Sequence, residues 1–372
     1  MILKNGKIFS KGLIHNGAIL INDGIIEEMI FNLNEEDYRQ LFNKNQDNKV
    51  IDCNNKLILP GIIDIHSHLR DMEQSEKETF YTGTKAAAYS GITTVFNMPN
   101  TKPPANTVIN VNKWMEKAQN NIYVNVGFIS GVPKGIDESE IKKIIELGVI
   151  GFKIYPLSPL IEIDWYNPDN IQRLLKVSSR HQIPIFIHAA FPLSEIKKEK
   201  LLKSFEIEKF PILDLHDRLN PLEYEEKYVS FIIQNYKQHI NENKLNPGTF
   251  PIIHFCHVSG REPYMLIQKE IQLNGNFRIS FEVTPHHLLL SNSLTLDNDN
   301  YGKVLPPLRK LIHSKFLLKE LEDGNISLIG TDHAPHTLEE KSNEYLHAPS
   351  GFPGFESYPL MLLDRVFRFK FS

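Results

Sequence analysis

The sequence predicts an α/β protein, a (β/α)8 barrel of the TIM type carrying a small, incomplete β-sandwich domain at its N-terminus. Eight short apolar, β-branched runs follow one another from Leu57 onward, most of them separated by stretches of helical periodicity. Strands that alternate with helices pair in parallel, and eight such units close on themselves. The first of these strands ends in His66-Ser67-His68, where an open doubly wound sheet would carry a glycine-rich phosphate loop.

The elements follow in order. Residues 1–56 read as the small β domain, because the apolar runs 19–21 and 25–26 flank Asn22-Asp23-Gly24, and an Asp-Gly pair tolerates the positive φ of a tight hairpin turn. The polar stretch 32–49 is expected to be an exposed insertion. The barrel, residues 57–372, should have strands near 58–66, 92–98, 122–128, 149–154, 184–188, 251–256, 278–284 and 326–331. Its helices are expected near 75–90, 105–120, 138–147, 168–181, 221–242, 262–273 and 309–323. The helix at 138–147 is the best marked: Asp137 caps it, Glu140 completes a capping box, Ile141, Ile144 and Ile145 form a stripe, and Gly148 ends it. Residues 192–220 form a long connection whose charge run reads as a solvated helix face. The chain ends soon after GFPGFESYPLMLLDRVFRFK, so the sheet of the small domain is expected to lack partners and to expose apolar edges.

Composition narrows the function. At 372 residues, with 41% hydrophobic and 23% charged content, the chain can build a sizeable core, which excludes disordered and collagen-like classes. A net charge of −4 is too balanced for a protein that binds nucleic acid by neutralising phosphates. No apolar run approaches the ~20 residues of a membrane helix, and MILKNGKIFSKG lacks the apolar core of an export signal. Two cysteines, Cys53 and Cys256, cannot make a disulfide framework and point to a reducing cytoplasm.

The histidines carry the main clue. Asp64, His66, His68 and Arg70 occupy alternate positions at the end of the first barrel strand, so in extended chain they share one face, directed at the barrel mouth. His188 closes the fifth strand, His257 the sixth and Asp332 the eighth, while Lys153 lies at the end of the fourth. Barrel enzymes place their chemistry at this rim. A lone buried histidine is usually a packed core residue, and two histidines two apart occur by chance. Their recurrence with a lysine and an aspartate at five strand ends points instead to a metal site, and Zn²⁺ suits such nitrogen and oxygen ligands. A protonated Lys153 would be repelled there, so it must be neutral or chemically modified, unless it simply reaches along the rim to water.

The motifs PGIIDIHSHLRD, FNMPNTKPP, GFKIY, FIHAA, CHVSG, EVTPHHLLL, LPPLR and TDHAPHTLEEK resemble, in order and rough spacing, those of the dihydroorotases, a family of cyclic amidohydrolases. The resemblance covers nearly the whole chain from Leu57. It implies two zinc ions per chain, bridged by Lys153 carrying a carbamate formed from CO₂. His66, His68 and Asp332 would complete one metal's shell, and His188 and His257 the other's. Such a pair lowers the pKa of a shared water and polarises the carbonyl under attack. Asp332 would act as general base and then general acid, so that dihydroorotate opens to N-carbamoyl-aspartate, with ring closure as the direction used in pyrimidine synthesis. By the same resemblance, Arg70, Asn100 and His336 read the substrate carboxylate, an arginine fork suiting a planar carboxylate. Taken alone, Asn100 would pass for a turn residue, His336 for a loop histidine and Arg70 for half of a surface salt bridge.

Other residues rank lower. His254 should face away from His257 and pack in the core. His286 and His287 are structural or close to substrate, Cys256 is a small buried residue, His333 supports its neighbour Asp332, and 339–341 form an exposed loop. Gly351-Phe352-Pro353-Gly354 resembles the family's loop beside the pocket. Leu305 stands where many members carry asparagine, so a polar substrate contact is missing or comes from backbone. Two other functions remain open: an allantoinase- or hydantoinase-type hydrolase sharing the metal motifs, and a non-catalytic scaffold for aspartate transcarbamoylase. Homo-oligomerisation or association with that enzyme is compatible with either catalytic reading.

Overall fold

The structure is a computed structural model that describes residues 1–44, 48–208 and 210–369. The chain divides into two compact units, Met1–Ile62 and Ile63–Ser372. In the first, β1 (Ile2–Ser10), β2 (Leu13–Asn22) and β3 (Ile25–Phe31) form an antiparallel meander. β4 (Val50–Asp52) and β5 (Leu57–Ile58) both join β1 in parallel. The β2–β3 turn is the expected Asp23-Gly24 pair, with φ of 48° and 78°.

The insertion expected at 32–49 is instead largely a helix, α1 (Glu35–Lys44). Its Leu41 is buried with Ile2, Ala18 and Leu20 of the sheet, and Leu33, Tyr38 and Phe42 pack around them. That apolar spacing is helical, but it was hidden among polar neighbours; residues 45–47 lie outside the described residues. Among the described residues this unit has one sheet, and no second sheet faces it.

In the second unit, β6 (Ile62–Ser67), β7 (Ile92–Asn97), β8 (Asn125–Gly131), β9 (Gly151–Ile154), β10 (Pro184–Ile187), β11 (Ile252–Phe255) and β12 (Ile279–Phe281) lie side by side in chain order. They form a curled parallel sheet. Its helices are α2 (Phe80–Tyr89), α3 (Val108–Ala118), α4 (Glu138–Glu146), α5 (Pro168–His181), α6 (Glu195–Glu208), α7 (Ile212–Leu219) and α8 (Leu222–Glu242), then α9 (Arg261–Leu273), α10 (Pro285–Leu289), α11 (Leu311–Glu322), α12 (Leu338–Lys341) and α13 (Tyr358–Phe369).

Three local expectations need correction. The strand expected from 122 begins at Asn125, because Tyr123 N donates to Thr84 Oγ1 rather than to a neighbouring strand. Asp137 caps α4, but Glu140 does not close a capping box: its Oε1 accepts from Val108 N at 2.8 Å, at the start of α3. The connection at 192–220 contains two helices, α6 and α7, and the charge run lies on the largely exposed α6, as expected. The eighth strand is reduced to two parallel bridges, Val283–Ile329 and Ser67–His333. These bridges join both edges of the sheet to one segment and close the ring. Regular pairing fails there because Asp64 takes Thr331 N (2.9 Å) and Thr331 Oγ1 (2.5 Å), and Asp332 turns to φ 50°. No helix among the described residues is long and apolar enough to cross a membrane.

Candidate metal centre

The strand ends bring the expected side chains together. His66 lies on β6 and Lys153 on β9, whereas His188 directly follows the end of β10 and His257 lies two residues beyond β11. His66 is fully buried, with Lys153 1%, His257 2%, His188 6% and His68 7% exposed. His68 Nε2 stands 2.9 Å, and His66 Nε2 3.4 Å, from Asp332 Oδ1. On the other side His188 Nδ1 meets His257 Nε2 at 2.9 Å, and the rings of His66 and His257 are 5.2 Å apart. Strand alternation does not deliver all of this. β6 stops at Ser67, and His68 and Arg70 reach the site through a turn in which Arg70 has φ 50°. His257 (38°) and Asp332 (50°) are likewise in the left-handed region, conformations that cost roughly 1–3 kcal/mol and gather at functional sites. Asp64 is not at the barrel mouth: it is fully buried and ties Thr331 and His66 N to one carboxylate.

Electrostatics sort these groups. Burial, reinforced by the Lys153 charge, pushes His188 down to about 3. Burial also lowers His68, to about 4, against the pull of Asp332. His66 is the exception: burial opposes its charging, but the Glu282 carboxylate outweighs it and raises the imidazole. Asp332 lies well below the usual carboxylate range because the neighbouring His66 and His68 overcome its burial.

Several buried atoms have no hydrogen-bond partner among the described residues: His66 Nε2, His257 Nδ1 and Lys153 Nζ. A buried amine with no hydrogen-bonded counter-ion leaves its donors unsatisfied. His66, His68 and Asp332 each offer a ligand atom within 4.8 Å of the others, and so do His66, Cys256 and Glu282. Imidazole nitrogens facing inward beside a carboxylate are the donors a divalent ion takes. The residues present therefore fit a metal.

Supporting contacts extend outward. Glu282, which sequence reasoning missed, is fully buried and bonded to His66 Nδ1; it also accepts from His257 N at 3.2 Å and faces His254 Nε2 at 3.3 Å. The one available signal was a carboxylate inside the apolar FEVTP run. His254 does pack, against Phe186, but it also braces Glu282. His287 is structural, held by Thr284 Oγ1 and the carbonyls of Pro306 and Pro307, whereas His286 Nε2 has no hydrogen-bond partner among the described residues. His333 pairs with Glu78 at 3.0 Å.

The expected carboxylate readers divide. Arg70, 6% exposed, donates from Nε to Pro335 O and from Nη2 to His336 Nε2, both at 3.1 Å. Asn100 accepts through Oδ1 from His68 Nδ1 at 2.5 Å, so its carbonyl orients that imidazole, while Nδ2 is the group of this side chain that could donate to a carboxylate. Residues 350–355 run alongside: Ala334 N donates to Phe352 O, and Phe352 packs edge-on against His286.

The chain belongs to the amidohydrolase family, whose profile matches residues 57–352, and it is a hydrolase. It is 33% identical to the dihydroorotase of Pyrococcus abyssi over 366 residues, covering 98% of this chain and 74% of that protein. It is 31% identical to a dihydroorotase of Staphylococcus epidermidis over 376 residues, covering 100% and 81%. Among solved structures, the L-hydantoinase of Arthrobacter aurescens superposes with a TM-score of 0.81 at 24% identity, over 100% of this chain and 78% of that one. The dihydropyrimidinase of Brevibacillus agri gives 0.80 at 21%, over 100% and 77%. At these identities the structural likeness speaks for the fold.

Proposed function

We propose that this chain is a dihydroorotase, a zinc-dependent hydrolase that opens the cyclic amide of dihydroorotate to N-carbamoyl-L-aspartate and closes it again in pyrimidine synthesis. The observation that carries the reading is the buried Arg70 fork, held by Pro335 O and His336 one short loop away from the His66–His68–Asp332 cluster. A guanidinium so placed suits a ring substrate bearing a carboxylate.

His66, His68 and Asp332 would hold one ion and His188 and His257 a second, with carboxylated Lys153 between them. When bound, such metals polarise the amide carbonyl and ionise water at neutral pH. The remaining work falls to the chain. Carbamylation would convert Lys153, whose Nζ has no hydrogen-bond partner among the described residues, into an anion facing three imidazoles. Glu282 keeps the His66 ring oriented through Nδ1 and leaves Nε2 facing inward. Asp332, ionised and held by His66 and His68, would take the proton of the attacking water and return it to the departing ring nitrogen. Arg70 would bind the carboxylate that stays on the ring. Both cysteines are free thiols, which suits a reducing cytoplasm.

A second reading, a hydantoinase- or allantoinase-type hydrolase, draws support from one observation: Leu305 is apolar where many members of the family it resembles carry asparagine, so the carboxylate has one polar contact fewer than expected. The test is turnover by zinc-loaded protein of dihydroorotate and carbamoyl-aspartate beside hydantoin, dihydrouracil and allantoin. Turnover confined to the first pair supports the proposal. Preference for a carboxylate-free ring would replace it by the second reading.

A further inference from the structure

His257 holds a backbone conformation, φ 38°, that its own chain would not choose. Such a conformer persists only where its surroundings over-determine it. On one side Glu282 does so, its Oε1 accepting from His257 N at 3.2 Å and its carbonyl from Val258 N at 2.9 Å. On the other side the chain is gripped at Ser259, two residues on. Glu225 of α8 accepts from Ser259 N on Oε1 at 2.9 Å and from the Ser259 hydroxyl on Oε2. That hydroxyl accepts from Arg309 Nε at 2.9 Å, and Arg309 Nη2 donates to Glu225 Oε2 at 3.1 Å. Ser259, Glu225 and Arg309 are all buried. Helix α8 is pressed against this turn: a Cβ on Gly260 would stand 2.6 Å from Leu222 Cδ2, about one helical turn before Glu225.

The remaining bonds of Arg309 point elsewhere. Its Nη1 donates to Asp217 Oδ1 at 2.7 Å and to Asn220 O at 2.6 Å, at the corner between α7 and α8. One guanidinium thus meets two carboxylates, and of these only Glu225 touches the chain that carries His257. The Ser259 hydroxyl donates to one ion and accepts from the other, and both bonds are charge-assisted. Ion pair and serine form a closed triangle, which fixes Ser259 N and Oγ together and leaves the turn at His257 little freedom.

We infer that the buried Arg309–Glu225 pair is a positioning device for His257: by clamping Ser259 it holds the imidazole beside His188, where that side of the centre takes a divalent ion. Glu225 and Arg309 act through the backbone of the turn and are positioning residues, not ligands. The inference rests on the metal-binding reading and adds to it the residues that set one ligand in place before the ion arrives.

Competition between the protein and a chromophoric chelator for zinc tests this with no substrate present. The binding step that disappears in His257→Asn identifies the ion on that side. Glu225→Gln keeps an oxygen for Ser259 N but turns amide N–H groups toward Arg309 and the Ser259 hydroxyl. It should weaken the identified step about tenfold and leave the other within about threefold. Asp217→Asn disturbs the same arginine from the far side. It should lower stability in urea by a similar amount yet hold both zinc affinities within about twofold, which separates positioning from general weakening. Ser259→Ala leaves the ion pair intact, so it should fold, and it should weaken the His257 step about threefold. Unchanged zinc affinities in Glu225→Gln and Ser259→Ala, or equal losses in Glu225→Gln and Asp217→Asn, would overturn the inference and leave the metal centre standing. A wild type that binds no zinc would overturn both.

Discussion

Glu282→Gln changes the charge behind His66 while preserving shape. The native carboxylate is fully buried, with one oxygen accepting from His66 Nδ1 and His257 N and the other facing His254 Nε2. A glutamine can keep its carbonyl on His66 and His257 and turn its NH₂ toward His254. That ring can accommodate the change by carrying its proton on Nδ1, beside Ser280 Oγ at 2.9 Å. What disappears is the negative charge that makes His66 a better electron donor at Nε2. Loss of such an outer partner lowers metal affinity by about 10–100-fold, or roughly 1.4–2.8 kcal/mol. In the metal-free chain the exchange removes one partner of a buried pair, and because His66 can follow by shedding its proton, the cost should stay below the ~3–5 kcal/mol of leaving a charge unpaired. Competition with a chromophoric chelator gives the affinity, and urea denaturation with and without zinc gives the stability. Zinc affinity within twofold of wild type would refute the reasoning, as would a metal-free variant that is grossly unstable.

Three further outcomes are expected. Asp64→Ala leaves Thr331 N and His66 N without their buried acceptor, while Thr331 Oγ1 keeps His66 O at 3.2 Å; at ~1–3 kcal/mol per orphaned group it should cost several kcal/mol in urea denaturation, and a loss under about 1 kcal/mol contradicts the role. Arg70→Met should lower kcat/KM for dihydroorotate by about 30-fold or more, from ~2–5 kcal/mol for truncating a buried charged contact, with little effect on any residual turnover of dihydrouracil; equal losses on both substrates would speak against carboxylate reading. The third concerns pH. Burial lowers His216 to about 3, with Val304 O on Nε2 and the Tyr345 hydroxyl on Nδ1. The unfolded chain therefore binds the proton first as pH falls below about 6.5, so stability present above that pH is lost progressively toward pH 3, at up to ~1.4 kcal/mol per pH unit for this one proton. His216→Asn should flatten the profile of unfolding free energy by that slope, and an unchanged slope counts against it.

Much of the barrel and its site was legible because strand ends announce themselves. His66, His68, Lys153, His188, His257 and Asp332 each close an apolar run, and a parallel barrel places all such ends on one rim. Helix α5 begins at Pro168 and ends at His181, as its periodicity indicated. What escaped depended on tertiary partners. Glu140 has the spacing of a capping box, yet its carboxylate serves α3, a choice fixed only once the two helices are neighbours. The eighth strand is apolar enough to read as regular, but Asp64, 267 residues away from Thr331, takes its hydrogen bonds. Glu282 looks like one more charged residue until its burial against His66 is seen. Asn100 lies where the motif put it, but its contact is His68, which local sequence does not reveal.

Native mass spectrometry of zinc-loaded protein prepared in bicarbonate tests the central claim most directly, that six strand-end side chains share a metal pair bridged by modified Lys153. The account predicts a mass exceeding that of the bare chain by two zinc ions and one CO₂, with Lys153→Met losing the CO₂ and at least one of the metals. A wild-type chain that carries neither, or a Lys153→Met variant that binds the same complement, would contradict it.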